Sequence, residues 1–228
     1  MKATLFIILT IVLFSCKKET NKVSKIKHVT VKKDSIEREI DFENKINDSV
    51  YLVKKENNQG KFFMYYSKDK YDEASFDSII IKNKFNKKIQ KIKFKKDYFL
   101  PSWQADFSVS EDINFDGFND LKVINYYGLY NYSYSFWLFK SEKHYYKHVS
   151  DLDSIYNPGI DNEKKEINSE WRVAFQSYHF EKYFWKNDRL ILKEERIEET
   201  TNSGDTMHVH TRKLVNGNYI VKDIDVKQ

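Results

Sequence analysis

The stretch Asp112-Ile-Asn-Phe-Asp-Gly-Phe-Asn-Asp120 narrows what this chain can become more than any other. It has the form D-x-N-x-D-G-x-x-D. Oxygen-bearing side chains fall at loop positions 1, 3, 5 and 9, with Gly117 at position 6, where calcium loops turn sharply. Asp112, Asp116 and Asp120 repel one another when crowded, and a hard dication removes that repulsion. The flanks decide what surrounds the loop. Phe107 and Val109 alternate with Ser108 and Ser110 before it, and Leu121 and Val123 flank Lys122 after it. Period two with β-branched and aromatic residues predicts strand–loop–strand. An EF-hand is excluded, because position 12 is Val123 where that motif needs a bidentate Glu. The alternative is an acidic, Asx-rich hairpin turn without metal.

The loop resembles the nine-residue calcium loops of integrin-type propeller blades. That resemblance implies side-chain ligands from Asp112, Asn114, Asp116 and Asp120 and a backbone carbonyl from Phe118. The expected role of Ca2+ is structural, since a loop closed by protein oxygens leaves little room for a substrate.

Outside the loop the chain falls into three parts. Lys2 precedes a twelve-residue apolar run, 3–14, too short to span a membrane as a helix. It ends Leu13-Phe14-Ser15-Cys16, which resembles the lipobox of bacterial lipoproteins. Residues 1–15 are therefore expected to be a signal peptide and Cys16 the lipidated residue; the alternative is an ordinary secretory signal. Cys16 is the single cysteine, so no disulfide supports the fold. Residues 16–46 are charged and polar with one aromatic, Phe42, and are expected to form a disordered tether. Residues 47–228 are expected to be one β domain carrying the loop at 112–120. Lys and Arg number 39 against 34 Asp and Glu, interspersed, with no basic stripe of the kind that binds nucleic acid.

The β domain is dense in Phe and Tyr, 17 and 16 in the chain, with only 6 Gly and 2 Pro. Short alternating runs are predicted as strands at 50–54, 61–67, 78–82, 89–95, 105–110, 121–127, 134–140, 144–148, 171–177, 181–186, 189–195, 207–215 and 219–225. One helical turn is expected near 163–168. The fold class is all-β, an antiparallel meander that is propeller-like, with a β-sandwich as the alternative. A weak repeat aligns residues 185–193 with 214–222. Each carries an Asn-Asp or Asn-Gly pair where a two-residue hairpin loop needs positive φ. Such hairpins build propeller blades; the alternative is two unrelated hairpins in one sandwich.

Residues 110–121, 134–139, 151–158 and 183–194 together resemble a family of bacterial envelope lipoproteins with a propeller-like β domain and a calcium loop. That family includes the immunity protein of a bacteria-killing type IV secretion system, which inhibits a lysozyme-like effector. Its fold is similar to periplasmic inhibitors of invertebrate-type lysozyme. The resemblance implies an envelope protein without enzymatic activity, anchored by lipid on the periplasmic side or at the cell surface. Its implied partner is a peptidoglycan-degrading enzyme. The alternative is a non-inhibitory binding module for a glycan or a secreted protein. The chain departs from many relatives after the loop, where 126–134 holds five tyrosines instead of a Gly-rich segment.

Tyrosines in a short loop give rigid contact area with hydroxyl handles, so Tyr127, Tyr130 and Tyr132 are candidate partner contacts. The alternative is a strand pair whose tyrosines alternate between solvent and core. A second candidate is the segment 176–180. Lysozyme inhibitors of similar fold enter the cleft with a Ser- and Tyr-bearing loop, which marks Ser177 and Tyr178. A hydroxyl or a His such as His179 near the two carboxyl groups of a lysozyme cleft would block them without chemistry of its own. His208 and His210 stand two apart on a predicted strand and share a face. Two imidazoles could hold zinc or copper; without a third evident ligand the alternative is a polar outer face.

Overall fold

The computed structural model describes residues 42–45, 50–94 and 99–227. Cys16, the signal peptide and all of the expected tether up to residue 41 lie outside the described residues. Among the described residues, sixteen antiparallel strands form three meander sheets in chain order. The first holds β1 (Phe42–Lys45), β2 (Val50–Glu56), β3 (Lys61–Lys68), β4 (Glu73–Lys82), β5 (Lys88–Lys93) and β6 (Phe99–Pro101). Strands β5 and β6 both pair with β4, at opposite ends of it. The middle sheet, in spatial order, is β10 (Tyr145–His148), β9 (Tyr132–Lys140), β8 (Asp120–Tyr127) and β7 (Phe107–Glu111). The third runs β11 (Gly159–Asp161), β12 (Glu166–Ala174), β13 (Ser177–Lys186), β14 (Arg189–Thr200), β15 (Thr206–Val215) and β16 (Asn218–Lys227).

The all-β antiparallel meander expected from the sequence is what the chain forms. Successive sheets pack face to face, in the manner of a sandwich. Alternation on β9 explains how. Trp137 and Phe139 pack into the first core, with Phe62, Met64, Ile79 and Ile81 of the first sheet. Phe136 and Leu138, one residue out of phase, pack into a second core with Leu152, Ile155 and Ile167. A strand buried on both faces must be apolar at every position, and Phe136-Trp-Leu-Phe139 is. Each such side chain contributes about 1.5–3 kcal/mol on burial.

The third sheet outgrows its core. Trp185 and Leu190 still pack on the second core, but β16 is exposed along its whole length. The aligned repeat maps onto two adjacent hairpins of this one sheet. Asn187 and Asp188 have φ of 51° and 57°; Asn216 and Gly217 have 49° and 84°. Both turns are therefore the two-residue hairpins that the Asn-Asp and Asn-Gly pairs predict.

Three expectations are corrected, and two short strands were not expected. Phe42–Lys45, read as tether, pair with β2. The helical turn near 163–168 is instead a tight turn entering β12. Strands β6 and β11, three residues each, carry too short a pattern to be read. The run 171–177, read as one strand, contains a reversal at Phe175-Gln176. No Gly or Pro marks it; Ala174 pairs with Ser177 across the turn, just after a register shift between Arg172 and Ala174.

Candidate functional site

The loop between β7 and β8 is organised by its own aspartates. Asp112 accepts the N–H groups of Asp116 and Gly117 at 3.1 and 2.7 Å. Asn114 Nδ2 donates to Asp116 Oδ2 at 2.8 Å, and Phe118 N donates to Asp116 Oδ1 at 3.0 Å. Gly117 has φ of 88°, the left-handed conformation that its position requires. The ring of Phe118 rests on Phe139, with centroids 5.4 Å apart.

Asp120 sits apart, 3% exposed at the start of β8. Its two oxygens accept Ile113 N at 2.9 Å and Phe139 N at 2.8 Å. Burial, the largest influence, pushes its pKa up to about 7; the two backbone N–H groups lower it, and the negative charges of Asp116 and Asp112 raise it. The loop thus brings Asp112, Asn114 and Asp116 together and turns Asp120 inward beneath them. No group of three His, Cys, Asp or Glu converges among the described residues. The donors available here are instead mixed: carboxylates, backbone carbonyls and the Asn114 amide.

Asn114 Oδ1 is buried and receives no hydrogen bond. An orphaned acceptor in a loop that carries Asp112 and Asp116 over a buried Asp120 with its pKa raised is an environment short of positive charge. The donor set is all oxygen, which suits a hard cation such as Ca2+. Two residues that the motif does not announce fix the loop in place. Ile113 is fully buried in the second core. Its carbonyl accepts Trp185 Nε1 of β13 at 2.8 Å. A lone isoleucine inside an acidic loop was the available signal for this anchor.

The opposite end of β8 lies about 23 Å away, at roughly 3.3 Å per residue. There β8 turns into β9 through Gly128–Asn131, closed by Gly128 N to Asn131 O at 2.8 Å. The neighbouring tip is the β12–β13 turn. Arg172 joins the two tips. Its guanidinium lies 4.6 Å from the rings of both Tyr130 and Tyr178 and 5.7 Å from Phe175. The two candidate surfaces, separated by more than forty residues in sequence, meet on this side chain. Arg172 Nη2 donates to Phe175 O at 3.1 Å, while Nε is buried without a partner.

Two asparagines hold the tips together by imitating backbone. Asn131 donates to Arg172 O at 2.6 Å and accepts Arg172 N at 3.0 Å. Asn157 donates to Glu170 O at 2.6 Å and accepts Tyr132 N at 2.8 Å. Around them Leu129 is 86% exposed, Phe175 82% and Tyr130 58%. Tyr127 stands edge-on to exposed Trp103, centroids 5.4 Å apart. Tyr132 is half-buried, edge-on to Tyr134 at 5.6 Å. Ser177 opens β13 opposite Ala174. The segment 176–180, read as a loop, is largely strand, and His179 is stacked on Trp171 at 4.0 Å instead of standing free.

The architecture has a counterpart among solved structures. It is similar to a Xanthomonas type IV secretion system related protein, with a TM-score of 0.58 and 16% identity. The match covers 81% of this chain and 97% of that one. At this identity the likeness speaks for the fold alone. No protein-family model matches the chain, and no curated protein does.

Proposed function

We propose that this protein is a lipid-anchored component of a bacterial envelope that binds and inhibits a cell-wall-degrading, lysozyme-like enzyme, as an immunity protein or lysozyme inhibitor. The observation that carries it is the meeting of Tyr130, Tyr178 and Phe175 around Arg172 on an exposed tip. Tyrosine and arginine are the residue types that concentrate binding energy at interfaces. A lysozyme cleft works through two carboxyl groups. A guanidinium steadied by aromatic faces pairs with carboxylates in a fixed geometry and occludes them without reacting. A fold shared with a type IV secretion system related protein agrees with an envelope setting beside a secreted effector.

In this proposal Ca2+ is structural. Asp112, Asn114, Asp116, Asp120 and the Phe118 carbonyl hold it, and it braces the β7–β8 turn against the body of the domain. Cys16 carries the acyl anchor and residues beyond it set the reach from the membrane.

The test is an inhibition and binding assay of the purified protein against a panel of lysozyme-type muramidases, with Arg172→Ala beside it. Inhibition that Arg172→Ala loses supports the proposal; absence of binding to every enzyme sinks it. A second reading, a glycan-binding module, is favoured by one feature. An open groove of about 500 Å3 on β12–β14 is lined by Phe180 and by Asn168, Glu181, Lys182, Glu194 and Arg196. Retention of peptidoglycan fragments that Glu181→Ala abolishes would favour it instead.

A further inference from the structure

On the third sheet, with β14 between them and β13, β15 and β16 carry two histidine–aspartate pairs in register. His208 faces Asp225 across the ladder and His210 faces Asp223. His208 Nδ1 lies 2.5 Å from Asp225 Oδ1, and His210 Nδ1 lies 2.7 Å from Asp223 Oδ1. An Nδ1–H that donates to a carboxylate leaves the Nε2 lone pair free to bind, the arrangement found behind metal-bound imidazoles. Residues two apart on a strand share a face, with Cα atoms about 6.7 Å apart. A tetrahedral ion with bonds of about 2.0 Å holds two nitrogens about 3.3 Å apart, a gap that two neighbouring rings close by leaning together. Both side chains are accessible, 55% and 37% exposed.

We propose that His208 and His210 form a two-imidazole site for a borderline divalent transition ion, Zn2+ or Cu2+, with Asp225 and Asp223 orienting the rings. Nitrogen donors select this class over Ca2+, which the oxygen loop suits. No third His, Cys, Asp or Glu joins the pair among the described residues, so the remaining coordination positions are open to water. Glu199, opposite His208 on β14, is the nearest carboxylate in register on that side.

The test titrates the purified protein with Zn2+ and then Cu2+ in excess Ca2+, which occupies the oxygen loop. The expected result is saturable uptake of one ion per chain, abolished in His208→Ala and in His210→Ala. Asp223→Asn with Asp225→Asn weakens it by roughly 10- to 100-fold. In the unmodified protein, Cu2+ broadens the ring resonances of His208 and His210 and spares that of His144, in the turn entering β10 of the middle sheet, a readout independent of any variant's folding. No saturable uptake, or uptake unchanged in the double histidine variant, overturns the proposal and leaves two surface ion pairs only.

Discussion

The two ends of β8 are built on opposite principles. At its start, backbone N–H groups and carboxylates fold inward on themselves, and the innermost, Asp120, is buried beside two like charges. At its far end, aromatic rings and a guanidinium face outward, and two asparagine side chains complete the backbone hydrogen bonds of both tips. The loop end is polar yet internally unbalanced, with an acceptor lacking a donor. The aromatic end is internally balanced in its backbone yet exposes apolar surface. In the proposed function an ion would complete the first region and another molecule the second. Changes at one end should therefore move stability and calcium response, and changes at the other should move partner binding.

Ile113→Ala should have the largest effect, about 2–5 kcal/mol of stability, since it opens a cavity in the second core beneath the loop. Denaturant midpoints measure it, and calcium affinity should fall with it while partner binding by the folded fraction persists. A cost under 1 kcal/mol would mean the loop is not anchored through this residue. Next comes Arg172→Ala, expected to weaken inhibition of a lysozyme-like enzyme by about 30-fold, or 2 kcal/mol, with little change in Tm. If inhibition were untouched while Tm dropped, the division between the two ends would be wrong.

Calcium removal should cost about 1.4 kcal/mol when the ion stood tenfold above its Kd. The effect should depend on pH, and its sign follows from Asp120. The unfolded carboxyl has its ordinary pKa near 3.8, whereas the folded, metal-free one titrates at about 7. Between those values the folded state holds a proton that the unfolded state has lost. Metal-free stability therefore falls as pH rises from about 4 to about 7. A bound cation stabilises the charged form and cancels that loss. Chelator should thus lower Tm more at pH 8 than at pH 5, by calorimetry; an equal shift at both would separate Asp120 from the ion. The smallest effect is expected for Tyr127→Ala. Losing its edge-on contact with Trp103 should cost about 1 kcal/mol or less in partner binding and almost nothing in stability.

Local chemistry made much of this legible. The D-x-N-x-D-G-x-x-D spacing marked the loop, and Asn187-Asp188 and Asn216-Gly217 marked two hairpins, because positive φ is a property of the residues themselves. Arg172 was not legible. Its role comes from Tyr178, its cross-strand partner on β13, and from Tyr130, which belongs to the second sheet and reaches it only because the two sheets meet. Nor were Asn131 and Asn157, whose amides complete ladders far along the chain and leave no periodic trace. The stacking of His179 was not legible either, because its partner, Trp171, faces it across a turn without Gly or Pro.

By itself the sequence determined the all-β class, the strand–loop–strand at 112–120 and the dense aromatic content, since alternation and turn preference act over a few residues. Tertiary structure alone decided that β9 is buried on both faces, that Asp120 turns inward to raise its pKa, and that two distant aromatic segments converge on one arginine. Those outcomes depend on which sheet face meets which, and stacking of sheets is a long-range choice that no local run of residues encodes.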